Sequence, residues 1–394
     1  MKTKFIGFAA FAAMFSMALT SCSNNEDDLA QAGAAQIDAK KLITTNANII
    51  GASSPRSVRS YDANVGDIQA DGMLVWAFDA TRETAITDAA DFFMGTPTAG
   101  LAHTWDAGKS WFKAEKDYFW PEYKLNFVAL TPKTGGGIGT IGISQAAKSG
   151  TTLQKPEMTV AIDVPLTTVE NGIYKDGGQK DIMIASIEDK QGDGNSAAFT
   201  FKHALSQIVF KGCVDATTTI HKAVVESIKL VNVASDGTIT YTAATDAFAA
   251  DNQGTQDKTY AANIKNKEVT AESGKGTDDI TGQDDNAEGR DYQLMIMPQT
   301  SVTCTGITRE NLSQTTAPTA GTYLLVNADI YANGNNSNKV LSSGTNVYIP
   351  LESTTWLPSH KYTYTLMFGD NLLSPITFTA SVAAWTDADK NVEY

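Results

Sequence analysis

The chain lacks any run of 18 or more apolar residues, the length that a helix needs to cross a bilayer. It is short of positive charge, with 30 Lys and Arg against 44 Asp and Glu, a formal net charge of −14. Such a surface repels phosphate backbones and anionic headgroups, which excludes nucleic acid as an expected partner. Cysteines number three in 394 residues, too few for a disulfide-built scaffold. Helical periodicity never persists beyond ten residues, and Ala85–Phe93 offers at most a short helix.

The signatures of chemistry are missing too. There is no H-E-x-x-H, no cysteine pair at zinc spacing and no G-x-S-x-G elbow. Four histidines are scattered, and His203 shares one face with Phe199, Phe201 and Leu205, as a packed, hydrogen-bonded histidine does. Paired glycosidase carboxylates can come from distant strands, but nothing points to them. Gly137 to Gly142 spells G-x-G-x-x-G, yet Pro132 and Gly135-Gly136 stand where the motif needs a strand end, and Gly150 stops any helix behind it. These read as loop glycines. Asp387, Asp389 and Asn391 begin like a calcium loop, but Val392 replaces its turn glycine. Asp278, Asp279, Asp284 and Asp285 read as a solvated acidic loop. No catalytic residue, metal or cofactor is therefore expected.

What is present begins at the N-terminus. Lys2 and Lys4 precede an apolar stretch from Phe5 to Leu19, too short for a span and followed by Leu19-Thr20-Ser21-Cys22. This is a secretory signal whose end resembles the lipobox of bacterial lipoproteins, in which the cysteine carries acyl chains. Cys22 is the expected lipidation site. The acidic run to Asp28 is similar to a surface-export signal of Bacteroidota lipoproteins. Cys213 and Cys304 then either pair or stay as buried thiols.

From residue 60 onward the dominant period is two, the signature of half-buried strands. It carries Leu74, Trp76 and Phe78; Tyr123 to Ala129; Met158 to Val164; and Tyr292, Leu294 and Ile296. Leu324 to Ile330, Tyr362 to Phe368 and Ile376 to Val382 follow it too. Strands without intervening helices predict an all-β chain of antiparallel sheets packed as sandwiches. Val231 and Val233 before Ser235-Asp236-Gly237, with Ile239 and Tyr241 after it, predict a hairpin with a three-residue loop. Val233 would then face Ile239, with Gly237 left-handed. The polar, glycine-containing stretch Asp189–Ser196 marks the expected domain boundary, and Gly135–Ser149 and Gly274–Gly289 read as loops. The organisation expected is a signal peptide at 1–21, a lipidated leader at 22–59, and sandwich domains at 60–190 and 191–394.

Trp105, Trp111 and Trp120 cluster with Phe112, Tyr118, Phe119 and Tyr123. Exposed, these rings would stack on sugars; core packing is the favoured reading.

Several motifs in order resemble one family. Asp117-Tyr118-Phe119-Trp120-Pro121 with Asn126-Phe127-Val128-Ala129 and Pro132 is similar to an N-domain motif of the fimbrillins, the type V pilins and pilin-like lipoproteins of Bacteroidota. Asp181-Ile182-Met183 with Phe201-Lys202-His203-Ala204-Leu205-Ser206-Gln207-Ile208 resembles the family's junction. Met297-Pro298-Gln299-Thr300 and the close from Trp356 to Tyr364, then Val382 to Trp385, resemble its later motifs. The resemblance implies two transthyretin-like β-sandwich domains in tandem and a non-enzymatic fimbrial (pilus) subunit. It also implies outer-membrane export, a cut after an arginine, and assembly with other fimbrial subunits into adhesive surface fimbriae. Arg56 and Arg59 are the expected processing sites. Ile376, Phe378, Ala380 and Val382 are the strand-exchange candidates, and Lys41–Gly51 is the strand that cutting would release. A lipid-retaining anchor or tip protein and a surface glycan-binding lipoprotein are the alternatives. The partner outside the pilus would be a host or bacterial receptor or glycan.

Overall fold

A computed structural model describes residues 42–49 and 65–384, apart from 172, 193–195, 216, 218, 252–253, 265–267, 271–276, 282–293, 306–316, 335, 343–345, 352 and 370–375. Cys22, Arg56, Arg59, Asp284, Asp285, Asp387, Asp389 and Asn391 lie outside the described residues. Residues 41–394 form one compact unit. The chain is all-β, with short strands left unnumbered below. No described helix is long and apolar enough to cross a membrane.

In the first half, β1 is Thr45–Ile49, β2 Met73–Asp79, β3 Leu101–Asp106, β4 Trp111–Ala114 and β5 Leu125–Thr131. They are followed by β6 Ile138–Ser144, β7 Glu157–Asp163, β8 Met183–Lys190 and β9 Ala197–His203. In the second half, β10 is Ser206–Val214, β11 Ile220–Val233, β12 Asp236–Thr242, β13 Ala247–Asp251 and β14 Lys258–Ala261. The last are β15 Tyr323–Ala332, β16 Val347–Pro350, β17 His360–Phe368 and β18 Ile376–Ala384.

The largest sheet closes on itself. Its order is β2-β3-β4-β1-β9-β8-β5, and β5 pairs again with β2, Val75 opposite Ala129 and Ala77 opposite Phe127. Closure removes free sheet edges. Period two explains why a core forms inside it: Met73, Val75, Ala77, Phe127, Ala129, Phe199 and Phe201 alternate inward and are fully buried. The intervening residues Trp76, Phe78, Val128, Leu130, Ile182 and Ile184 face outward from this ring. They join a second core with Ile141, Ile143, Met158, Val160 and Ile239 of the sheet β13-β12-β7-β6. That core continues into two further sheets, one containing β10-β17-β18 and one containing β14-β11-β15 with β16 beside β15.

The predicted hairpin at 231–241 does not form. Val231 pairs with Thr259 on β14 and Ile239 with Val160 on β7, so β11 and β12 belong to different sheets. Asp236-Gly237 opens β12 rather than a turn. The residues before it form a buried crossover in which Gln299 bonds Ala234 at both N–H (2.8 Å) and C=O (2.9 Å). Ser235 C=O accepts from Val164 N–H at 2.8 Å. Long-range pairing satisfied these backbone groups more completely than a local turn. Gly135–Ser149 likewise holds strand β6 and not only loop, because Ile141 and Ile143 bury against β7, opposite Val160 and Met158. Glycines between the isoleucines hid the period. The helical reading of Ala85–Phe93 shrinks to one 3-10 turn, Ala89–Asp91. A seven-residue α-helix, Val65–Asp71, was invisible to the periodicity.

The stretch Gln191–Ser196 connects β8 to β9, which are antiparallel neighbours with Met183 opposite His203. Limited proteolysis of the folded chain is expected to nick first near Asp189–Ser196 or within Gly274–Gly289. Phe199, Phe201, Leu205, Ile208 and Phe210 are fully buried, so first cuts among them would contradict this packing.

Candidate functional site

Thr45–Ile49 is the feature that bears most directly on function. As β1 it runs parallel to β9 over five positions, from Thr45 opposite Ala197 to Ile49 opposite Phe201. Its other flank meets β4, antiparallel, at Thr45 opposite Phe112. Thr45 Oγ1 donates to Phe112 C=O at 3.0 Å, Asn46 Nδ2 to Ser196 Oγ at 2.9 Å, and Ile43 N–H to Tyr118 C=O at 2.8 Å. Ile43, Ala47 and Ile49 are buried in the ring's interior core. Burying each isoleucine contributes about 1.5–3 kcal/mol. The strand is therefore a stave of the closed ring, and taking it out would leave β4 and β9 as two unpaired edges.

Residues 50–64 join β1 to Val65, the first residue of the helix, and Arg56 and Arg59 lie in that join. The C-terminal candidates Ile376, Phe378, Ala380 and Val382 lie in β18, at the end of its sheet's strand order. This strand pairs antiparallel with β17 over nine positions, with Phe368 opposite Ile376 and Tyr362 opposite Val382. Its four candidates fall at alternate positions along the strand.

The other candidates are structural. His203 Nδ1 bonds Asp181 Oδ2 at 2.5 Å, both side chains almost wholly buried, at the point where the chain leaves β9 for β10. His103 is buried, which pushes its pKa down, and its Nδ1 contacts Leu101 C=O at 3.0 Å. Tyr241 Oη donates to Asp246 Oδ1 at 2.8 Å and bonds Ser186 Oγ at 2.9 Å; burial drives its phenol well above the usual range. Gly137 sits at φ +82°, and a Cβ there would meet Asp163 C=O at 1.8 Å. That glycine serves a close backbone approach, not a phosphate. Asp278 and Asp279 pair with Gly212 and Lys211 of β10, so this half of the acidic group is a short strand. No group of three or more metal-ligating side chains exists among the described residues. Cys213 and Cys304 are free thiols, both half-buried, and Cys304 Sγ donates to Thr322 C=O. Of the tryptophan cluster, Trp120 is buried edge-on to Phe127, while Trp105 and Trp111 are half-buried.

Among solved structures, a fimbrial protein from Bacteroides vulgatus superposes with a TM-score of 0.53 at 15% identity, covering 88% of this chain and 100% of that one. A candidate cell adhesion protein from Bacteroides ovatus gives 0.44 at 13% identity, covering 89% and 100%. One from Bacteroides uniformis gives 0.43 at 12%, with the same coverage. The first shares the fold. No curated protein matches. The model of the fimbrillin-like family matches residues 59–385, which is most of the chain, and the chain belongs to that family.

Proposed function

We propose that this chain is a fimbrial subunit that reaches the cell surface as a lipoprotein, is cut after Arg56 or Arg59, and polymerises by exchange of β-strands. Family membership supports the coarser part, a fimbrial or adhesion role at the surface. The observation that carries the finer part is β1: a buried stave of a closed ring, joined to the rest of the unit through the segment that holds both arginines. Once that segment is cut, β1 is held only by non-covalent contacts. Parallel pairing, which β1 makes with β9, is slightly weaker per residue than antiparallel pairing. Its departure would open a slot lined by Phe199 and Phe201 and flanked by free backbone donors and acceptors. An extended strand from another subunit completes such a slot, with main-chain bonds giving affinity and alternate side chains giving fit. The alternate set Ile376, Phe378, Ala380 and Val382 suits that role.

A second reading, a lipid-retaining anchor or tip protein, draws on one observation: β18 already pairs along its whole length with β17. The two readings separate at the mature N-terminus. N-terminal sequencing of surface protein is expected to begin after Arg56 or Arg59 for a shaft subunit. A chain that still begins at Cys22 assigns the anchor role instead. In both readings Cys22 carries lipid in the precursor, so Cys22→Ala is expected to abolish labelling by a fatty-acid analogue. Equal labelling of the two proteins would rule out this anchor.

A further inference from the structure

The outward faces of the sheets are not alike. On β12 the outward positions are Thr238, Thr240 and Thr242, and on β17 they include Lys361, Thr363 and Thr365; the tyrosines of both strands point inward. On β15 the order reverses. Its buried set is Leu324, Val326, Ala328, Ile330 and Ala332, which turns Tyr323, Leu325, Asn327, Asp329 and Tyr331 outward. Tyr348 of β16 stands opposite Leu325 and packs edge-on to Tyr323, with ring centroids 5.8 Å apart. A ladder of amides and hydroxyls runs on from this pair. Asn346 Nδ2 donates to Tyr348 Oη at 3.2 Å, Asn327 Nδ2 to Asn346 Oδ1 at 2.7 Å, and Ser227 Oγ to Asn327 Oδ1 at 2.9 Å. Further along lies Tyr331, with the Lys222 and Lys339 ammoniums 5.1 Å and 5.5 Å from its ring centre. Six residues at the strand rise put Tyr331 about 20 Å from the Tyr348 position.

We propose that this face of β11, β15 and β16 binds a neutral, extended glycan chain. Sugar rings present apolar C–H faces that stack on aromatic rings, and hydroxyls that exchange hydrogen bonds with amides, both of which can give and accept. The strip supplies these groups in that order. It supplies them already fixed, because the Tyr pair and the amide ladder hold one another, which lowers the entropy cost of binding. Asn346 is exposed and has a second N–H and a second carbonyl lone pair to offer. A protein partner fits less well. The exposed large apolar side chains among the described residues are Phe119, Tyr123, Leu166, Val169, Val302, Leu357 and Met367, and none of them is on β11, β15 or β16. An acidic glycan fits less well too. Lys222 is paired with Glu268 at 3.4 Å and Lys339 with Asp329 at 2.7 Å, and the chain as a whole carries net charge −14.

The inference does not depend on polymerisation and is tested on the uncut, monomeric full-length chain. Affinity gels are cast with neutral polysaccharides (xyloglucan, mannan, amylopectin) and, separately, with polygalacturonate. Retardation is expected in at least one neutral gel, unchanged from low to high salt because no ion pair is involved. Tyr348→Ala is expected to weaken that binding about tenfold, and Tyr348→Phe to retain most of it. If Tyr348→Ala does not fold, Asn346→Ala on its exposed side chain takes its place. Migration unchanged in every neutral gel would overturn the proposal. So would retardation only by polygalacturonate, or retardation that both alanine variants keep in full.

Discussion

Replacing Trp76 with alanine is expected to cost about 3–5 kcal/mol of stability, the range for removing a large buried aromatic. Trp76 has no exposed surface and lies on β2 where the ring meets the neighbouring sheet, in the core that runs through the rest of the unit. Its Nε1 donates to Thr96 C=O at 2.9 Å, so the substitution also leaves that carbonyl with only the longer bond from Ala99 N–H, 3.4 Å. The ring is held between backbones: an added Cβ on Gly95 would lie 2.9 Å from it, and one on Gly100 would lie 2.7 Å from it. With no side chain at either place the indole fits, and with the indole gone neither segment has side-chain atoms to fill the cavity. Gly100→Ala should destabilise as well, by about 1–3 kcal/mol, as overpacking does. Urea unfolding of the variants against the parent chain checks both, and a Trp76→Ala loss below about 1 kcal/mol would show that this core is not continuous as described.

Most of the strands were legible in the sequence because they bury one face each. Leu74, Trp76 and Phe78, Met158 to Val164, and Leu324 to Ile330 all alternate, and they became β2, β7 and β15. The same period is silent about partners. It gave no sign that β1 would lie parallel to β9, or β10 parallel to β17 from Ser206 opposite His360 to Val214 opposite Phe368. Parallel neighbours come from distant parts of the chain, and their pairing is not encoded by any local turn. The hairpin misreading has the same origin. Ser235-Asp236-Gly237 has the chemistry of a turn, but Val233 and Ile239 each found a buried place in a different sheet. Closure of the ring by β5 on β2 was equally out of reach.

For the candidate site, the sequence offered more than for the topology. Leu42-Ile43 and Ile49-Ile50 marked a strand ahead of two arginines, and β1 stands there. The sequence could not reveal that this strand completes a closed sheet, because that depends on β4 and β9, more than 60 residues further along the chain. The outward tyrosines of β15 and β16 were missed for a related reason. Tyr323 and Tyr331 carry the same strand propensity as the inward Tyr362 and Tyr364. Only the register against Leu324 and Ile330 shows which way they face.

Removal of residues 374–394 is expected to abolish assembly outright, since it deletes every side chain of the proposed donor strand. The same loss is expected from the double substitution Arg56→Ala with Arg59→Ala, which leaves β1 covalently in place and the slot filled. These two changes act at separate parts of the chain and through different steps, so their agreement would mark strand exchange rather than a general loss of folding. The double-arginine variant should also unfold in urea at the same midpoint as the uncut parent, because the cores formed by the described residues contain neither arginine.

The most direct measurement is to treat purified full-length precursor with trypsin and follow it by SDS gel without boiling. Processed wild type is predicted to form SDS-resistant ladders that lengthen with protein concentration, while the 374–394 deletion and the double-arginine variant remain single bands. Wild type that is cleanly cut between Ile49 and Val65 and still runs as a monomer at high concentration would contradict assembly by exchange of this strand.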